Sequence, residues 1–556
     1  MLLLFPFWLV LFAIVVGWGL LVHAALDRAS AGRVREPLTA FQTAWLGYAG
    51  LLAFLLLWAF VLPIDRLTIP FGIVPAIAGY VLQRELVVRR LRAAFVRPRI
   101  AIVIAVLIAM SAIVVAWTAA DSILAYDTNL YHLQVVKWNA SYSAVPGLAN
   151  LHMRFGYDNS VHLFDTYVDA YWHGMAAHVA NGFLLATLLA QWIVEILTAR
   201  TPRGRVRQMF CLLTLPFVIS KLWTSEVASL SSDLPLGVFA CVLVLELVSL
   251  RRRSLGALAY VVTIGAVATT TKLGGLGLFV PTMIAALVFV GRRAGWRAWL
   301  VVFGFPGLIV ALWIARNVVL TGWLIFPVFG KLPVSWAVPH DLAEWHLRWI
   351  QSWARVAGVQ PEEALDHGFF HWFRPWFDFH RQSREFVLFI SSVALIAWRL
   401  VDPPARSPID RAALWTAIAA IACGMVQWFV GAPDLRFGGF LFWLLPALLF
   451  TSLLGGAMRD STTRAFVCAI ALVACAWGGA FTPRMNEVVP PLWGRMVSPK
   501  RVWLVSVPTG PNTVLYRPTD GDQCFDTPLP CTPEPRTTTL RDPNSLGKGF
   551  NSGPSR

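Results

Sequence analysis

Residues 100–120 read IAIVIAVLIAMSAIVVAWTAA, and residues 121–170 read DSILAYDTNLYHLQVVKWNASYSAVPGLANLHMRFGYDNSVHLFDTYVDA. The first segment is free of charge and long enough to cross a hydrocarbon core of about 30 Å. The second sets five Asp, three His and a series of aromatic residues at the boundary that the first segment reaches. A charged side chain that slips into lipid costs on the order of several kcal/mol, so charge kept at such a boundary points to chemistry.

Working outward, apolar windows recur at about 1–24, 40–62, 69–88, 100–120, 174–199, 208–222, 233–250, 255–270, 274–291, 298–317, 385–400, 412–430, 439–455 and 465–482, or about fourteen spans. The window over 255–290 is too long for one helix, and Thr271-Lys272-Leu273-Gly274-Gly275 breaks it near its middle. Basic residues cluster at Arg28/Arg33/Arg35, Arg84–Arg99, Arg200–Arg207, Arg251–Arg253, Arg292–Arg297, Arg399–Arg411 and Arg459/Arg464. They fall at every second loop, the positive-inside pattern, which places both termini outside. The expected fold is an all-α polytopic membrane protein. A transmembrane domain over 1–482 carries long outer loops at 121–173 and 318–384, and 483–556 form a small outer tail. VWLVSVPTGPNTVLYRP (502–518) suits a β-hairpin, and DPNSLGKGFNSGPSR (542–556) reads as poorly ordered.

Composition agrees. The chain of 556 residues is 57% apolar and 14% charged, with 26 Trp and a mean hydropathy of +0.63. A net charge of +16 would suit nucleic acid, but its concentration in alternate loops reports membrane orientation instead. Cys211, Cys241, Cys423, Cys468 and Cys475 lie in apolar windows as small core residues, whereas Cys524 and Cys531 lie in the polar tail and suit a disulfide in an oxidising compartment. The N-terminus lacks a basic n-region and an A-x-A site and reads as a retained span.

A helix starting at Asp127 would set Tyr131, Lys137 and Trp138 along a surface near the membrane, with Asp127 either a helix cap or a functional carboxylate. Asp158, Asp165 and Asp169 follow as loop acids. Lys221, Glu226 and Asp233 bracket a short outer loop. Lys272, Arg316 and Arg436 are cations at outer span ends, against the positive-inside trend; converging, they would hold a phosphate or pyrophosphate. In 318–384, WHLRWIQSW suits an interfacial amphipathic helix, and His367-x3-His371, without an acidic partner, reads as packing. Walker A, GxGxxG, HExxH and CxxC patterns do not occur. No cofactor is assigned; a divalent cation, if required, would take Asp127 with Asp233 or Glu226.

The order of an early span, an outer loop opening on an Asp, an amphipathic segment and then many helices resembles GT-C glycosyltransferases. DTNLYHLQVVKW (127–138) and VPGLANLHMRFGYDNS (145–160) look like a bacterial family of multi-span proteins, as do SSDLP (231–235), TKLGG (271–275), RNVVLTGWLIFPVFG (316–330), PDLRFGG (433–439) and GDQCFDTPLPCTP (521–533). In that last segment the family often has Trp where this chain has Phe525. The resemblance implies an enzyme of the bacterial inner membrane that moves a sugar from a polyprenyl phosphate to a glycan or lipid acceptor. Asp127 would be the catalytic base, and Tyr131, His132, His152, Arg154, Asp158, Asp233, Lys272, Arg316 and Arg436 would bind substrate. The expected partners are the polyprenyl-linked sugar, the acceptor and membrane lipids, not nucleic acid. The chain departs from the superfamily in lacking an Asp-Glu pair, having Asp127-Thr128.

Two other readings compete. A polysaccharide polymerase or ligase would need an Arg-rich outer loop, whereas cations in 318–384 are scattered among aromatic residues. A flippase or transporter would place charge within spans near the midplane; Glu195 and Glu246 instead fall near inner ends, facing the cytoplasm.

Overall fold

The computed structural model describes residues 3–552, apart from 33, 35–37, 96–97, 253, 292–294, 402–408, 455–457, 459, 478–499, 501, 511–512 and 534–537. Among the described residues, nine helices are long and apolar enough to cross a membrane: Leu4–Ala29, Ala40–Trp58, Pro98–Ala119, Ala176–Thr198, Pro202–Trp223, Leu273–Val290, Trp296–Thr321, Arg411–Gly431 and Leu435–Leu454. The other expected windows also fall on helices, among them Arg384–Val401 and Ser461–Trp477, with 478–482 outside the described residues. Thr68–Leu82 turns by 76° into the basic segment that starts at Arg84. Asp233–Val248 has 16 residues, all buried; at 1.5 Å per residue it extends only about 24 Å, and it forms the centre of the body. The pair read within 255–290 is present as Leu255–Thr271 and Leu276–Val290.

Local chemistry sets the helix starts. Thr39 and Gln42 form a reciprocal capping box, Thr201 caps Gly204 N–H ahead of Pro202, and Asp410 accepts from Ala412 and Ala413. Close crossings of the first two helices depend on glycine: a Cβ on Gly19 would lie 1.8 Å from Thr43 O, and one on Gly47 would lie 1.6 Å from Val15 O.

The segment 121–173 is not a loose surface loop. It folds into the body as a π-turn over Thr128–His132, a helix over Leu133–Ser141, 3-10 turns at Leu148–Asn150 and Met153–Gly156, and a helix over Val161–Tyr171. Tyr131 and Trp138 are buried rather than laid along a surface, because the aromatic side chains of this stretch pack with Leu320, Leu515 and Phe550.

The tail covers this segment. Leu504–Gly510 and Thr513–Pro518 form an antiparallel hairpin, and Thr538–Leu540 pairs with Phe550–Ser552. Cys524 and Cys531 are disulfide-bonded. Phe525 N–H donates to Asn129 O at 2.7 Å, Gln134 Nε2 donates to the carbonyls of Phe525 and Thr527, and Lys137 pairs with Asp526 at 2.7 Å. Residues 542–552, expected to lack order, are held instead: Phe550 is buried and its N–H donates to Pro146 O. Residues 553–556 of that expectation lie outside the described residues.

At the opposite end of the central helix, Arg207 bonds both Glu195 (2.6 Å) and Glu246 (2.9 Å), and Gln42 also donates to Glu246. These two acids are therefore paired within the protein rather than presented to water. Cys211 and Cys241 are core residues, but Cys423 and Cys468 are exposed on their helices.

Candidate functional site

Asp127 stands at the N-terminal end of the π-turn but makes no capping bond there. Its carboxylate is held by two guanidinium groups: Arg154 Nη1 lies 3.0 Å from Oδ1 and Arg436 Nη2 lies 3.1 Å from Oδ2. Arg436 continues the chain of charge, its Nε 3.8 Å from Asp233 Oδ2, and the Lys272 ammonium bonds Asp233 Oδ1. Asp233 also accepts from Ser231 Oγ at 3.2 Å. Phe437 underlies the cations, with Lys272 Nζ 4.0 Å and Arg436 Cζ 4.7 Å from its ring centre.

Each residue reaches this point from a helix end or a break. Asp233 opens the central helix, where the macrodipole favours a carboxylate. Lys272 sits in extended backbone between Leu255–Thr271 and the turn Leu273–Gly275. Arg436 lies in the first turn of Leu435–Leu454, its N–H bonded to Asp434 Oδ1. Arg154 belongs to the 3-10 turn Met153–Gly156. Arg154, Arg436 and Lys272 thus meet the carboxylates of Asp127 and Asp233, with Asp434 also close to Arg436. The Asp127 side chain remains 22% exposed, and each of its oxygens keeps a lone pair beyond the one facing arginine.

Two spaces lie beside the arginines that hold Asp127, which itself lines neither. A small cavity of about 10 Å³ is lined by Tyr131, Arg154, Tyr157, Asp158, His162 and Arg316, among others. A larger cleft of about 290 Å³ is lined by Lys221, Asp233, Arg384, Glu385 and Arg436, with Phe217, Phe440 and Trp443 supplying apolar wall. Arg154 faces the first and Arg436 the second, so Asp127 bridges side chains belonging to both.

The remaining expected residues divide. Tyr131 lies beneath Arg154, whose Cζ is 5.8 Å from the ring centre. Burial, and then the nearby Asp127, hold its phenol well above the ordinary range. His132 follows it; burial first, then His162, Lys272, Arg154 and Arg436, hold its imidazole well below the ordinary range. His152 is buried, with its ring 5.0 Å from that of Phe155 and 6.4 Å from that of Tyr131.

Asp158 and Arg316 bond each other in a separate buried pair. Asn317 Nδ2 donates to the same Asp158 at 3.2 Å, and Arg316 Nη2 donates to Asn139 Oδ1 at 2.7 Å. The expected convergence of Arg316 with Lys272 and Arg436 is therefore not what the fold makes, since the guanidinium is bound to internal acceptors. The expected metal set is not assembled either. Arg436 stands between Asp127 and Asp233, Lys221 binds Glu226 at 2.9 Å, and among the described residues no group of three acids, His or Cys converges.

Several residues escaped the sequence reading. Tyr157 OH bonds His346 Nε2 at 2.7 Å, tying the amphipathic helix His340–Arg355 to the site. His162 Nδ1 bonds Asp165 Oδ2 at 2.9 Å, both side chains almost wholly buried. The i,i+3 spacing of that pair on a helix was the available signal. Arg384 and Glu385 gave none, standing at the start of an ordinary apolar window.

A family model for a domain of unknown function, DUF8201, matches residues 1–443, and the chain belongs to that family. The matched stretch holds Asp127, Arg154, Asp233, Lys272 and Arg436, and ends before the disulfide. No curated protein and no solved structure matches the chain.

Proposed function

We propose that this DUF8201 protein is a glycosyltransferase of the bacterial inner membrane. It moves a sugar from a polyprenyl-phosphate donor to a glycan or lipid acceptor on the outer face, where both termini also lie. The observation that carries the reading is the position of Asp127, between an arginine of the small cavity and an arginine of the larger cleft. A two-substrate transfer needs a proton acceptor at such a junction.

In the proposed reaction the acceptor hydroxyl gives its proton to Asp127 as its oxygen attacks the anomeric carbon. The anomeric C–O bond to phosphate breaks, and the electron pair leaves with the lipid phosphate. Arg436 and Lys272 stabilise that anion electrostatically. One displacement inverts the anomeric centre and needs no covalent enzyme intermediate. The aromatic wall of the cleft accommodates the first isoprene units of the donor, within a membrane whose lipids solvate the rest.

The test is glycan and lipid-linked sugar analysis of a deletion strain complemented at matched membrane levels. Wild type is expected to restore a missing sugar and Asp127→Asn to leave it missing, with the lipid-linked donor accumulating. Full restoration by the Asn form removes Asp127 from the chemistry.

A further inference from the structure

Between the helices Thr68–Leu82 and Pro98–Ala119 the chain forms a twelve-residue helix, Arg84–Phe95, which turns 76° away from the helix before it. At 1.5 Å per residue it runs about 18 Å, and the bend lays it along a membrane surface rather than through the membrane. Its sequence, RELVVRRLRAAF, has two faces. Val87, Leu91 and Phe95 recur at four-residue spacing with Val88 beside them, whereas Arg89 and Arg92 share a second face with Glu85. Arg90 turns to the protein: its Nη1 lies 3.2 Å from Thr43 Oγ1, and its Nη2 bonds Leu38 O, at the start of Ala40–Trp58. That anchor fixes the rotation of the helix and leaves Arg89 and Arg92 exposed. The Arg89 side chain is 80% exposed, and its contact with the equally open Glu85 spans 3.7 Å, a pair that contributes little in water. Val88 is exposed as well. Exposed apolar side chains continue on either side, Val74, Ile77 and Val81 before the helix and Ile102, Val103 and Val106 after it.

We propose that Arg84–Phe95 is an interfacial helix that docks on anionic phospholipid headgroups. Arg89 and Arg92 contact the headgroups, and the face that carries Val88 rests against the acyl boundary. Charge complementarity names the lipid. Four arginines against one glutamate leave three net positive charges on twelve residues, and of these arginines Arg90 is bound internally. A zwitterionic surface takes the apolar face but offers the arginines no counter-charge, whereas an anionic leaflet attracts each basic residue beside it. Continuity with the exposed apolar surfaces of the two flanking helices places the arginines at headgroup level. The proposal rests on the membrane orientation given above for naming the inner leaflet, and it does not rest on the transferase chemistry.

The test uses the full chain with p-acetylphenylalanine in place of Val88, which carries a nitroxide and leaves every cysteine untouched. The protein is placed in nanodiscs of phosphatidylcholine alone or with one third phosphatidylglycerol. With phosphatidylglycerol, dissolved oxygen is expected to relax the label more than a water-soluble nickel chelate does, as at acyl depth. The reverse order, or shielding from both reagents by protein, overturns the proposal. In phosphatidylcholine alone, at high salt, and in Arg89→Gln with Arg92→Gln, the ratio of docked to solvated helix is expected to fall. The fall is about fivefold per arginine. Arg89→Lys with Arg92→Lys is expected to keep the depth, because a headgroup surface reads charge. A depth that is the same in both lipids means that the apolar face docks alone, and a Lys pair as defective as the Gln pair assigns the arginines to folding; either overturns the proposal. A nanodisc has the same lipids on both faces, so the outcome is independent of orientation. Asp127→Asn is expected to lose transfer and keep the label depth, so the two proposals fail separately.

Discussion

Arg436 contacts Asp127 Oδ2 through Nη2 at 3.1 Å and Asp233 Oδ2 through Nε at 3.8 Å, so one guanidinium spans carboxylates from two distant parts of the chain. Its planar fork makes this bridge; an ammonium is a single point charge on a flexible four-carbon stem. Arg436→Lys is accordingly expected to cut product formation at least tenfold with the protein level unchanged. Product analysis at matched expression decides this, and a fully active Lys form would mean that charge alone suffices.

The buried Asp158–Arg316 pair supplies a contrasting case. Removing one member leaves a desolvated charge behind, a loss of about 3–5 kcal/mol. Arg316→Met and Asp158→Ala are each expected to lower the yield of monodisperse protein sharply, whereas Arg316→Met combined with Asp158→Asn recovers most of it. Thermal unfolding followed by size-exclusion chromatography reads the difference. Equal damage from single and double changes would mean that packing, not charge, is at stake.

Acid should loosen the site through His132. Its folded pKa lies well below 6.5 while the unfolded chain titrates normally, so the unfolded state binds the proton first as pH falls. The stability this group contributes is fully present above pH 6.5 and is lost as pH falls from there toward the folded value. The limiting slope is about 1.4 kcal/mol per pH unit for one proton. Chemical denaturation between pH 5 and 7 is expected to give a flatter pH dependence for His132→Gln than for wild type; parallel curves would remove His132 as the source.

The disulfide closes a loop of only 7 residues in separation, for which chain entropy suggests about 2–3 kcal/mol. Cys524→Ser with Cys531→Ser is expected to expose the tail to limited proteolysis while the helical body stays resistant. Product should also fall, because the bonds from Phe525 and Thr527 to Asn129 and Gln134 hold the turn that follows Asp127. A cleaved tail with full activity would separate the tail from the site.

Much of this was legible beforehand. Hydropathy located the helices because burial in lipid leaves long apolar runs, although it could not tell the wholly enclosed helix Asp233–Val248 from a lipid-facing span. Asp127, Asp233, Lys272 and Arg436 stood out because each is a charge at the end of an apolar run, contrary to the cost of putting it there. Which of them meet was not legible. Arg316 has the same local signature as Arg436, yet one pairs inward with Asp158 and the other reaches Asp127, a difference set by the three-dimensional approach of helices far apart in sequence. The order of 542–552 was hidden likewise, since Phe550 gains a place only when Trp138 and Pro146 are already beside it.

The clamp of 521–532 over the Asp127 turn also has a meaning in time. These residues leave the ribosome after every helix of the body, and the bonds to Asn129, Gln134 and Lys137 join the late part of the chain to an early loop. Insertion of the helices alone therefore leaves the turn without its cover, and assembly ends with a step that occurs after translation has passed the membrane domain. A chain still being made therefore has its membrane helices before it has the cover over the turn that follows Asp127.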